Sequence, residues 1–278
     1  MSKYQKQTVF IISTGRAGST AIYQYLNEMC DLKLPANKEP HFFTSVKKYK
    51  NLDGPILDCY VSSLKKYKKL YEKSKFIIDA SVGYFFYIDE FIKRVKKLNI
   101  NPKIIFLYRE PIGRAVSLFN ISKNLNMTIK SKLNDELTTK WEDGSWWQRY
   151  YDNVFYYDVY TKLNKNFKDI LSINYDNFKK NNDNVMKKIV MFINCQIKND
   201  IKYFPLNSSS DYFFDNQFFK IISKHLDYSF IKKSKAIIRY LTFILYNFFK
   251  TDIDNKILKK KLKKSIKQYK MFRSLKIN

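Results

Sequence analysis

One stretch near the N-terminus, Thr8 to Leu26 (TVFIISTGRAGSTAIYQYL), constrains what the rest of the chain can become. Val9 to Ile12 reads as a short buried strand, because an apolar β-branched run bounded by turn residues is a strand signal. The small-residue segment STGRAGST follows. Gly15 and Gly18 let the backbone curl with its N–H groups inward, Ala17 keeps the curve unobstructed, and Ser19 and Thr20 add hydroxyls. From Ser19 the pattern turns helical, with Ile22, Tyr25, Leu26 and Met29 on one face. Strand, tight loop and helix N-terminus together form an anion cradle. Arg16 carries the planar fork that phosphate oxygens favour. The ATP-binding Walker pattern needs a Lys before its last Ser or Thr; here Gly18 precedes Ser19. The plainer alternative is a glycine-containing strand-to-helix turn, common to many α/β proteins.

The same alternation continues downstream. Tyr60 to Tyr71 reads as a helix and Phe76 to Asp79 as a second strand. Tyr84 to Leu98 is helical, and Ile104 to Tyr108 is the most apolar strand. Ile112 to Ile121 is the next helix. Gly144 to Phe167 reads as a long aromatic helix with breaks, Ile170 to Ile173 as a fourth strand, and Val185 to Ile193 as a helix. Strand and helix alternate four times, which predicts a parallel sheet with crossover helices. Ligands of such sheets bind beyond the carboxyl ends of the strands. Three candidate groups fall there: Gly15 to Thr20, Asp79 to Ser81, and Arg109.

A chain of 278 residues can bury one large core. Its formal charge of +27 points to an acidic partner. The excess of Lys, Asn, Ile, Phe and Tyr also fits a general coding bias, so the charge counts little toward nucleic acid. Cys30, Cys59 and Cys195 are widely spaced and lack metal-ligand spacing, which suits a reducing compartment. Two His make a zinc site improbable, and no metal is expected. MSKYQKQTVFII reaches the first strand too early for a signal peptide. The expected location is the cytoplasm. Ala236 to Phe249 is apolar but too short to span a bilayer. Asn255 to Lys270 reads as a basic amphipathic helix with Leu258, Leu262, Ile266 and Tyr269 on one stripe. This pair either closes the core or docks on the inner, anionic membrane surface.

Three blocks, in order, now resemble one family. TGRAGSTAI is similar to the 5′-phosphosulfate loop of sulfotransferases that use 3′-phosphoadenosine 5′-phosphosulfate (PAPS). Arg16, Gly18, Ser19 and Thr20 take its places. YREPIGRAVSLF resembles the block that binds the 3′-phosphate, through Arg109 and Ser117. KEPHFF resembles the segment that supplies the catalytic carboxylate in the carbohydrate-modifying branch, here Glu39. The resemblance implies an α/β, three-layer P-loop-like fold with a central parallel sheet flanked by helices. It implies one sulfotransferase-like domain over residues 1–278, with 236–278 its basic helical C-terminal region. It implies sulfonyl transfer from PAPS to a hydroxyl or amine of a carbohydrate or glycolipid. Glu39 would be the general base, and Lys38 and Arg16 would steady the charge on the moving group. Partial desolvation would strengthen Glu39 as a base, and Lys38 would oppose that shift.

Other residues keep two readings. His41 either lines the pocket or is a packing group, and Asp79 and Ser81 are expected to line the acceptor cleft. Arg109 otherwise pairs with Glu110 or a helix end. Arg114 is an ordinary helix residue or a cleft wall. Trp141, Trp146 and Trp147 form a sugar-stacking platform or pack. The chain departs from the family pattern at Asp79-Ala80-Ser81-Val82-Gly83-Tyr84, where members often carry a Lys and a Ser near a Pro. It also lacks a late Arg-Lys-Gly loop, for which Asn207 to Ser210 and Lys232-Lys233 are the nearest substitutes. The alternatives are a P-loop small-molecule kinase and a non-catalytic basic protein binding nucleic acid or membrane. Nothing in the pattern decides between monomer and homodimer.

Overall fold

Residues 6–44, 61–124, 154–201, 203 and 255–275 are described by a computed structural model. The strands are β1 (Gln7–Ser13), β2 (Phe76–Asp79), β3 (Lys103–Tyr108) and β4 (Asp169–Asn174). All pair in parallel, in the order β2-β1-β3-β4. Val9 to Ile12 of β1 and Ile104 to Leu107 of β3 have no exposed surface. These unbroken apolar runs follow from a sheet covered on both faces. From β1 the chain crosses to β2 on one side, then returns to place β3 on the other side. The crevice between the carboxyl ends of β1 and β3 is therefore the switch point of the sheet.

The helices are α1 (Ser19–Cys30), α2 (Leu64–Leu70), α3 (Gly83–Phe86), α4 (Ile88–Lys97), α5 (Pro111–Asn124), α6 (Tyr156–Asn166), α7 (Tyr175–Lys180), α8 (Asn182–Ile193), α9 (Asn255–Lys261) and α10 (Lys263–Arg273). Ser63 caps α2 by accepting from the Lys66 N–H, so that helix starts later than its periodicity predicts. The expected helix over Tyr84 to Leu98 is two helices. Tyr87, at φ −122° and ψ 43°, leaves the helical region and divides α3 from α4. The expected Gly144 to Phe167 helix is described only from Tyr156, and Ala236 to Phe249 lies outside the described residues.

The described residues fall into two compact units. The first runs to Pro111, resumes from Val154 to Tyr203, and ends with the stretch from Lys263. The second contains the body of α5 from Ile112, and α9 through Leu262. The core of the first unit is aromatic. Phe10 of β1 meets Phe43 and Phe91 edge-on at 5.0 and 4.9 Å. At the other end Phe272 of α10 packs on Tyr108, Tyr160 and Phe106 at 4.7, 5.1 and 5.3 Å. The C-terminal helix therefore does close the core. Its buried stripe is Ser265, Tyr269 and Phe272, following buried Leu262; Ile266 is only half-buried. The expected single helix breaks at Leu262.

Two cysteines distant in sequence become neighbours. Cys30 ends α1 and Cys195 follows α8; both are free thiols. Burial, then the adjoining Cys195, pushes the Cys30 thiol up to about 12. Cys59 lies outside the described residues. Among the described residues, no helix is long and apolar enough to cross a membrane, and no cluster of His, Cys, Asp and Glu could hold a metal ion.

Candidate active site

The loop after β1 curls as its glycines predict, and more tightly. Gly15, Arg16 and Gly18 all take positive φ, at 69°, 58° and 89°. Consecutive N–H groups bent this way form an anion-binding nest. Gly18 is the N-cap of α1, so no side chain caps the first turn. An anion is the natural partner for those amides. Gly18 is needed for space as well as conformation: a Cβ there would sit 3.1 Å from Cδ2 of Tyr175. Ala17 and Ser19 are buried, while Arg16 and Thr20 are partly exposed.

Arg109 leaves the end of β3 and joins this loop. Its Nη1 donates to the Arg16 carbonyl at 2.8 Å. Its guanidinium stacks on Tyr175, 4.3 Å from the ring centroid. The plainer pairing of Arg109 with Glu110 does not describe these contacts. Tyr156 of α6 ties the two strand ends together. Its hydroxyl accepts from the Arg109 N–H at 3.1 Å and lies 3.2 Å from Thr14 Oγ1. Tyr156 and Tyr175 were not singled out in the sequence. Tyr175 follows β4, so the strand-end rule that found Arg109 could have found it. Tyr156 sits inside a helix of similar aromatics, with no local signal. Ser117 lies on α5 in the second unit, partly exposed, and Arg114 on the same helix is buried.

A second cluster forms beyond β2. Ala80 N–H donates to the Lys38 carbonyl at 2.9 Å, setting the 38–44 segment beside the end of that strand. Lys38 Nζ pairs with Glu39 Oε1. Glu39 Oε2 accepts from the Val82 N–H at 3.3 Å and lies 3.4 Å from His41 Nε2. Burial would raise the Glu39 carboxyl, but the Lys38 charge and His41 outweigh it and hold it down at about 2. The opposition expected from Lys38 thus wins. His41 is buried, with its backbone at φ 50°. Its ring occupies space that a side chain on Gly83 would fill, since a Cβ there would be 2.9 Å from Nδ1. Asp79 and Ser81 have no exposed surface. They lie beneath the Glu39 segment, whose His41 N–H donates to Ser81 Oγ at 3.0 Å. Trp141, Trp146, Trp147, Asn207 to Ser210 and Lys232-Lys233 lie outside the described residues.

A nest of backbone amides, an arginine bound to it, and a carboxylate beside the end of the neighbouring strand suit transfer of an anionic group. Residues 6–264 match the family model described as "Sulfotransferase domain". The chain is a member of the sulfotransferase family. It is an enzyme of that class, which sets aside the kinase and non-catalytic readings. Among solved structures this sulfotransferase is similar to one from Alicyclobacillus acidocaldarius, at TM-score 0.59 and 17% identity, covering 81% of this chain and 98% of that one. Mouse sulfotransferase SULT7A1 complexed with PAP gives 0.46 and 20%, over 70% and 61% of the two chains. The sulfotransferase domain of the Synechococcus PCC 7002 olefin synthase gives 0.47 and 15%, over 100% and 99%. No curated protein matches the sequence. The first of these likenesses supports the fold, an α/β sheet of parallel strands flanked by helices, as expected.

Proposed function

We propose that this sulfotransferase moves a sulfonyl group from PAPS to a hydroxyl or amine of a carbohydrate or glycolipid, with Glu39 as general base. The observation that carries the reading is the hydrogen bond from Arg109 to the Arg16 carbonyl. It joins an anion nest to a guanidinium across the switch point, which fits a nucleotide with phosphate on both its 5′ and 3′ positions. PAPS supplies a sulfonyl group already attached to a phosphate leaving group. The amides of Gly15 to Thr20 and the hydroxyls of Ser19 and Thr20 hold the 5′ end, and Arg16 steadies the charge that grows there. Arg109 anchors the 3′-phosphate, held in line by Tyr175, and Ser117 is given the same ligand. In this reading the charge of the donor is met by Arg16, Arg109 and the loop amides.

Glu39 takes the proton of the acceptor hydroxyl or amine, whose oxygen or nitrogen attacks sulfur in line as the bond from sulfur to the 5′-phosphate oxygen breaks. A carboxylate held at about 2 is a poor base. Lys38 resolves this by leaving Glu39 for the sulfonyl oxygens, which lets burial raise the carboxyl. The carbohydrate class rests on KEPHFF, because Glu39 lies where that branch carries its base. The exposed face of α10, with Lys263, Lys264, Lys267 and Lys270, supports contact with an anionic membrane surface, and the reading places the enzyme in the cytoplasm.

Calorimetric titration with adenosine 3′,5′-bisphosphate (PAP), with AMP, ADP and ATP as controls, tests the donor site. Selective PAP binding, lost in Arg109→Ala, is expected; equal affinity for all four nucleotides would overturn the assignment. Glu39→Gln is expected to keep PAP binding and to lose turnover by about 100-fold or more with labelled PAPS and a glycan panel. Retained turnover would remove Glu39 as the base.

A further inference from the structure

We propose that Asp79 is a positioning residue for sulfonyl transfer, which grips the Glu39 segment from below through two hydroxyl relays; the proposal rests on the reading of Glu39 as the base. Asp79 is fully buried at the end of β2, and among the described residues no Lys or Arg forms an ion pair with it. Four donors converge on it instead. Oδ1 accepts from the Ser81 N–H at 3.0 Å and the Ser81 hydroxyl at 2.6 Å. Oδ2 accepts from the hydroxyls of Tyr84 at 2.7 Å and Tyr67 at 3.1 Å.

This arrangement fixes the direction of every proton in the network. A carboxylate only accepts, and each hydroxyl has one hydrogen to give. Ser81 and Tyr84 spend theirs on Asp79, so toward any other group their oxygens must accept. Each accepts from a backbone N–H of the segment that carries Glu39. His41 N donates to Ser81 Oγ at 3.0 Å, and Phe43 N donates to Tyr84 Oη at 3.3 Å. One buried charge thereby orients two alternate amides of the segment. Between and around these ties, His41 is kept at φ 50° and the Phe42 carbonyl accepts from Arg94 Nη1 at 2.7 Å. Glu39 is left with its carboxylate against Lys38, the Val82 N–H and His41.

A neutral amide in place of Asp79 cannot do this. Asparagine has one accepting oxygen and a donating nitrogen, so at least one hydroxyl loses the acceptor of its proton and must turn, which loosens its tie to the backbone N–H above it. Burial raises the Asp79 carboxyl against the pull of its donors.

The test reads Glu39 directly and needs no acceptor. Full-length protein is labelled with carboxyl-¹³C glutamate, and the Glu39 signal is assigned by its loss in Glu39→Gln. In the wild type the signal is expected to stay at its ionised position from pH 8 to 4. In Asp79→Asn it is expected to titrate in the ordinary carboxylate range near ~4.3, with PAP affinity within about threefold of wild type. Tyr84→Phe and Ser81→Ala each cut one relay and should move the signal less. Should Asp79→Asn fail to fold, these two variants decide on the same criterion. A Glu39 signal as flat in the variants as in the wild type overturns the proposal. So does PAP affinity falling in step with the Glu39 change, which marks general softening. If Glu39→Gln kept its turnover, the base assignment would fail while this measurement still reported on the relays.

Discussion

At the scale of single residues, two positions carry constraints that can be separated. Gly18 meets a conformational and a spatial demand at once. Its φ of 89° disfavours any side chain, and Tyr175 stands 3.1 Å from where a Cβ would go. Gly18→Ala should therefore cost about 1–2 kcal/mol by urea denaturation. It should also weaken PAP binding by about tenfold or more, because the displaced ring is the one under Arg109. Unchanged calorimetric affinity would separate Tyr175 from the nucleotide site. Glu39 makes its prediction through acid. Its folded carboxyl, at about 2, lies below the ordinary value of 4.5. The lowered value stabilises the fold above about pH 4.5, and that contribution fades as pH falls toward 2. Denaturant unfolding at pH 6 and pH 3 should show wild type losing its advantage over Glu39→Gln, on the order of 1–3 kcal/mol. An advantage as large at pH 3 as at pH 6 would mean that the carboxylate is not held as described.

Elements turn these residue effects into structure. α10 covers the far end of the aromatic core through Tyr269 and Phe272, both buried. Phe272→Ala should cost about 3–5 kcal/mol in unfolding free energy. A loss under about 1 kcal/mol would show that α10 is an appendage. The element pattern was largely legible in the sequence, because β1 and β3 are unbroken apolar runs between turn residues. The loop of Gly15 to Thr20 was legible for the same reason, as was Arg109 at a strand end. What escaped were long-range choices. Nothing local tells that Tyr87 divides two helices, or that the last helix breaks at Leu262. Nothing local tells that Tyr156 bridges Thr14 and Arg109. Asp79 and Ser81 fall at the expected strand end, but nothing local tells that both are buried and hydrogen-bonded to each other. A strand-end position says where a residue lies, and only packing says which way it faces.

At the scale of the molecule, every strand pair among the described residues is parallel, and none is joined by a hairpin. The central strand β1 needs partners on both sides, and the outer strand β4 comes last of the four. During translation β1 emerges well before its second partner, β3, and at ordinary ribosome speeds the wait is roughly five to twenty seconds. Over that interval four consecutive apolar residues, Val9 to Ile12, have at most the short strand β2 to join. A chain built this way is at its most vulnerable to aggregation before it is finished. Its yield in a cell then depends as much on chaperones waiting at the exit tunnel as on the stability of the finished sheet.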